Sequence, residues 1–122
     1  MKIQKFEDMQ VWQDARTLVN LVYKSCSSKS FKHDYGFKDQ IQRAAVSIMS
    51  NIAEGYERDS NREMIRFLNF SKGSAGEVRS LLYVANDLNY INEEEFKVQY
   101  DHSISIIKLI ANFIKYLKQR DN

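Results

Sequence analysis

Apolar side chains recur with the helical period of about 3.6 residues in four stretches of this chain, with polar runs between them. The first stretch covers about residues 8–26, with Val11, Trp12, Ala15, Leu18, Val19 and Val22 on one side. The sequence SSKSFKHDYG then breaks the pattern and reads as a loop. A second helix is expected over about 37–56, its stripe formed by Ile41, Ala45, Ile48 and Ile52. Ser60-Asn61-Arg62-Glu63 has the S-x-x-E form of a capping box and opens the third. The third stripe is Met64, Phe67, Leu68, Ala75, Val78, Leu82 and Ala85. Asn92 starts the fourth, followed by Glu93, Glu94 and Glu95, where carboxylates suit the helix dipole. Phe96, Tyr100, Ile107, Ile110, Ile114 and Leu117 continue it. Connections at 27–36, 56–60 and 89–92 are short enough to make neighbouring helices antiparallel. The chain has no proline and glycine only at 36, 55, 73 and 76, which argues against an all-β fold rich in tight hairpins. The expected fold is therefore all-α: a single domain over residues 1–122, folded as an antiparallel up-down-up-down four-helix bundle.

A second periodicity runs beside the first. Gln40, Ser47, Asn51, Glu54 and Arg58 form one narrow row bordering the second apolar stripe, with Arg43 at its edge. The third helix carries Ser71 and Ser74 inside its apolar stripe and Glu77 at the margin. Gly73 and Gly76 fall mid-helix, where each costs about 1 kcal/mol relative to alanine and so suggests a close approach. One reading is structural: the small SKGSAG stretch lets two helices approach, and hydroxyls and amides satisfy one another across the gap. The other makes Glu54 or Glu77 a general acid or base. The structural reading leads, because buried polar groups are more often satisfied than catalytic, and Arg43 is the obvious cationic partner.

Composition is that of an ordinary globular chain: hydrophobic residues make up 43% of the 122, and the formal charge is +2. No apolar run approaches the roughly 20 residues that span a bilayer, and the N-terminus lacks the apolar region of a signal peptide, so no membrane partner is expected. Cys26 stands alone on the apolar side of its segment; a buried thiol in a reducing cytoplasm fits best. Neither histidine belongs to the Glu-x-x-His pair of a di-iron bundle, and metalloprotease, phosphate-loop and nucleophile-elbow motifs are missing. No catalytic residue, cofactor or metal is expected.

Charge distribution says more than its total. Lys24, Lys29, Lys32, His33 and Lys38 crowd the first loop, with Phe31, Tyr35 and Phe37 interleaved as in a surface that stacks bases and contacts phosphates. Solvated charge with aromatics tucked inward explains the same letters equally well. Arg62 and Arg66 extend the candidate nucleic-acid set. On the fourth helix, Ile106, Leu109, Phe113 and Tyr116 continue round from the core stripe, so apolar positions cover more than the usual surface-helix face. These four are the candidate interface of a homo-oligomer.

The segment QIQRAAVSIMSNIAEGYERDSNREMIRFLNFSKGSAGEVRSLLYVANDLNYI resembles the four-helix-bundle proteins encoded by intervening sequences within bacterial 23S rRNA genes. The resemblance extends upstream to FEDMQVWQDARTLVNLVY and is most specific at Gln40, Arg43, the SIxSNIAEG block at 47–55 and the GSxxE at 73–77. That family is similar in fold to the accessory variability determinant proteins of diversity-generating retroelements, pentameric barrels that bind nucleic acid and a reverse transcriptase. The resemblance implies a ring-like homo-oligomer, a pentamer, and RNA or DNA binding. The leading expectation is thus a non-catalytic oligomeric bundle that binds RNA or DNA by charge. The alternative is a scaffold whose partner is another protein.

Overall fold

A computed structural model describes residues 5–120; the side chain of Lys29 lies outside the described residues. A single 3-10 turn, Phe6–Asp8, sets Phe6 against Trp12 and leads into α1 (Gln10–Ser25). There follow a short α2 (Lys29–His33) and three long helices: α3 (Tyr35–Glu57), α4 (Asn61–Asp87) and α5 (Glu93–Lys118). The described residues contain no strand. Each long helix packs on its neighbours in chain order, and α5 closes back on α1, which gives a four-helix bundle around a continuous apolar core.

Local chemistry accounts for the helix ends. Ser60 accepts a hydrogen bond from the Glu63 N–H (3.1 Å), but the Glu63 carboxylate reaches Arg66 and Arg58 rather than back to the cap, so the S-x-x-E box is only half made. The reciprocal box forms at α5 instead. Asn92 Oδ1 accepts from the Glu95 N–H (2.7 Å) while Glu95 Oε1 accepts from the Asn92 N–H (2.9 Å). With so little glycine, the turns after α3 and α4 place Asp59 (φ 56°) and Asn89 (φ 59°) in the left-handed region. At the end of α4 the Tyr90 N–H bonds to the Ala85 carbonyl and the Asn89 N–H to that of Asn86, the Schellman pattern with asparagine where glycine usually stands.

The stripes of α1, α3 and α4 face the core as their spacing requires, with Trp12 and Val19 only half-buried. The fourth stripe is corrected. Along α5 the enclosed line is Gln99, Ser103, Ile106, Ile110, Ile114 and Leu117, and Phe96, Tyr100 and Ile107 flank it. Ile106 is wholly buried in its own bundle, so it is not an interface residue. Hydrophobicity favoured Phe96 and Tyr100, whereas the true line passes through two polar side chains that the fold satisfies internally.

The first loop is also more structured than its composition suggests. Phe31 on α2 is buried between Phe37 and Tyr90, with ring centroids 5.5 and 5.0 Å away. The Tyr90 hydroxyl donates to Asp34 Oδ2 (2.7 Å), and Asp34 Oδ1 caps α3 at the Phe37 N–H. Cys26 is buried near Gln42 and Lys38 of α3, and burial pushes its thiol up to about 11.

Candidate functional site

The polar row on α3 separates into three parts. Half-buried Ser47 and Ser74 share a hydrogen bond across the α3–α4 seam (2.9 Å), and Asn51 Nδ2 donates to both Ser47 Oγ (2.9 Å) and the Ser47 carbonyl (2.8 Å). Nearby, fully buried Ser71 donates to the Ile48 carbonyl (2.7 Å). Gln40 and Glu77 meet separately at the exposed rim (3.4 Å). Exposed Glu54 pairs with Arg58 one turn away (3.2 Å). Arg43 is not the partner of either carboxylate: its side chain is 79% exposed and pairs with Asp39 at 2.8 Å, the acid one turn back on its own face. The seam holds small hydroxyls and an amide, and its carboxylates stand in solvent.

Its glycines are corrected too. Nothing lies within 4 Å of a Cβ placed at Gly73 or Gly76, so neither marks a close approach. Gly55 does. A Cβ there would sit 2.8 Å from Phe67 Cβ and 3.3 Å from Met64 Sδ.

A second polar network, which the sequence did not announce, joins α1 to α5. Gln99 Nε2 donates to Ser25 Oγ (2.7 Å), and Ser25 donates onward to Glu95 Oε2 (3.0 Å). Beside it opens a cleft of about 240 Å³ between Leu21 and Lys24 on α1 and Glu94, Glu95 and Val98 on α5. The signal that could have found it is the spacing of Gln99, Ser103, Ile106 and Ile110, which is helical although two of its members are polar.

The proposed nucleic-acid residues fall in two places. Lys24 lines the cleft with Glu94 and Glu95, Lys32 is exposed on α2, and the Lys38 ammonium lies 5.4 Å from the Tyr35 ring centroid. The side chain of Lys29 is outside the described residues. Of the three interleaved aromatics, Phe31 and Phe37 stack on each other and Tyr35 is 69% exposed. At the opposite end, Arg66 has company that its spacing did not reveal. The Arg58 guanidinium lies 4.8 Å from the Phe67 centroid, and that of Arg66 lies 5.1 Å from Phe67 and 5.3 Å from Phe70. Phe70 packs edge-on against Phe67 and is 48% exposed. Glu54 and Glu63 offset part of the charge, while exposed Arg62 has no ion-pair partner among the described residues.

A third aromatic group joins α4 to α5. Tyr83, Phe96 and Tyr100 lie with centroids 5.3 to 5.7 Å apart, and Arg79 stands 5.7 Å from the Tyr100 ring. Hydrogen bonding with Tyr83, then the Arg79 charge, draws the Tyr100 phenol below its ordinary range, and the same contact raises Tyr83. Of the remaining candidates, Leu109 and Phe113 are half-buried and Tyr116 is 51% exposed, its hydroxyl accepting from Arg120 (2.9 Å). The described residues hold no cluster of three or more potential metal ligands, and no described helix is long and apolar enough to cross a membrane.

Residues 7–112 match the 23S rRNA-intervening sequence protein family. Among solved structures, the chain is similar to a protein of unknown function from the S23 ribosomal protein family of Bacteroides thetaiotaomicron VPI-5482. The two are 25% identical, the match covers 86% of this chain and 98% of the other, and the TM-score is 0.78. No curated protein matches the chain.

Proposed function

The chain belongs to the 23S rRNA-intervening sequence protein family, and from that premise we propose that it works without catalysis, as a self-associating cytoplasmic bundle that binds RNA or DNA by charge. The observation that carries this reading is the surface built by Arg58, Arg62, Arg66 and Phe70. An exposed ring beside the Arg66 guanidinium offers a face for an unpaired base, and the arginines offer cations for the adjoining phosphates. Arg58 and Arg66 are engaged by Glu54 and Glu63, so the free cation of this surface among the described residues is Arg62. The first-loop lysines are a weaker candidate, because Lys24 shares its surroundings with Glu94 and Glu95.

Titrating a labelled single-stranded RNA of mixed sequence at two salt concentrations tests the reading. Binding is expected to be weak, tolerant of sequence and steeply reduced by salt, since phosphate contacts release counterions. Phe70→Ala is expected to lower affinity about tenfold, the order of one lost stacking contact. Charge reversal at Arg62 should flatten the salt slope, and reversal at Lys29 and Lys32 should do so less. If neither RNA nor DNA is retained at low salt, the nucleic-acid reading fails and a protein-binding scaffold takes its place.

A further inference from the structure

The cleft between the end of α1 and the start of α5 contains an acceptor that the fold orients but does not use. Ser25 and Gln99 are 5% and 3% exposed. A serine hydroxyl has one proton, and that of Ser25 goes to Glu95 Oε2; its oxygen must therefore accept from the Gln99 amide nitrogen. This relay fixes which way round the carboxamide sits. Gln99 Oε1 then receives no hydrogen bond from any described residue. Yet among the described residues no enclosed side-chain nitrogen or oxygen lacks a partner. The oxygen is consequently open to the cleft that Gln99 lines.

The other walls share its character. Glu95 is pinned by the Asn92 N–H and by Ser25, one bond to each oxygen, which leaves lone pairs over. Among the described residues, exposed Glu94 has no ion pair, and neither has Lys24 across the cleft. Leu21 and Val98 supply apolar sides. Three acceptors, two of them carboxylates, outweigh one ammonium, so the space favours a cationic donor over an anion. An alkylammonium has three N–H donors at one end and a hydrocarbon stem behind them, the complement of these walls. A volume of about 240 Å³ accommodates a four-carbon stem.

We propose that this cleft binds an alkylammonium group, whether of a free aliphatic amine or of a lysine side chain. The proposal is independent of the nucleic-acid reading and uses a different end of the bundle. Calorimetric titration of the whole protein with 1,4-diaminobutane, and separately with Nα-acetyl-lysine methylamide, tests it. Saturable one-site binding is expected, with butan-1-ol inert because it lacks the charge. Glu94→Gln, at the surface and harmless to folding, should weaken binding about tenfold, as loss of a charge-assisted hydrogen bond does. Gln99→Leu, checked for helicity by circular dichroism, should abolish it. Binding of the diamine alone assigns the cleft to free amines, and binding of the lysine derivative extends it to a partner's side chain. The proposal is overturned if neither amine binds at millimolar concentration. It is equally overturned if Glu94→Gln retains full affinity, or if butan-1-ol binds as tightly as the diamine.

Discussion

Gly55 and Gly76 are both helical glycines, and replacing them with alanine is expected to have opposite effects. Alanine gains about 1 kcal/mol over glycine in a helix interior, whichever helix it enters. At Gly76 the added methyl meets open space, so Gly76→Ala should raise the urea midpoint by that increment. At Gly55 it lands 2.8 Å from Phe67 Cβ, an atom fixed to the α4 backbone that cannot swing aside. Overpacking of this kind costs about 1 to 3 kcal/mol, which offsets the propensity gain or exceeds it. Gly55→Ala should lower the midpoint, and a rise equal to that of Gly76→Ala would show that α3 and α4 are not in such close contact there. The sequence placed the close approach at the wrong glycines because the letter records a missing Cβ, not what stands where it would be.

At the scale of elements, periodicity carried α1, α3 and α4, where the buried positions are also the most apolar. It failed on α5 for a physical reason. Gln99 and Ser103 are buried because Ser25 and a backbone carbonyl take their hydrogen bonds, and those partners lie 74 and three residues away in sequence. A hydrophobic count sees only the polar letters and slides the stripe toward Phe96 and Tyr100. The candidate site was legible in part for the same reason. Ser47 and Ser74 could be matched from two helical stripes, whereas Arg58, Phe67 and Phe70 come together only once the α3–α4 turn is built. The lid formed by α2 was hidden in a run of polar residues, and its hydrogen bond gives an expected pH dependence. The Asp34 carboxylate beside the Tyr90 hydroxyl raises that phenol above its ordinary value of about 10. The folded state therefore favours the protonated phenol. Its contribution is fully present below the ordinary value and is lost as pH rises through the raised one. Urea midpoints of the native protein and Tyr90→Phe should differ at pH 7 and converge above about pH 10. A gap that stays constant across that range would mean the hydroxyl contributes nothing through Asp34.

For the molecule as a whole, the question is how many unlike faces its self-association needs. Removing Ile106 from the interface shrinks the patch first expected on α5, but Leu109, Phe113 and exposed Tyr116 remain, and Met9 and Val11 join the first two around a cleft of about 250 Å³. On α4 a second apolar area is exposed at Tyr83, Val84 and Leu88. The two lie toward opposite ends of the bundle. A twofold dimer pairs one patch with its own copy, whereas a closed ring joins two different patches on each protomer. If the ring implied by the family resemblance forms, charging either area should dissolve it. Light scattering is then expected to find an oligomer for the native protein and monomers for both Tyr116→Glu and Leu88→Glu, each at an exposed site where the fold should tolerate the charge. Dissociation by Tyr116→Glu alone would indicate a dimer through the α5 face. A native protein that scatters as a monomer at micromolar concentration would remove self-association altogether, and the apolar areas would then belong to contacts with another partner.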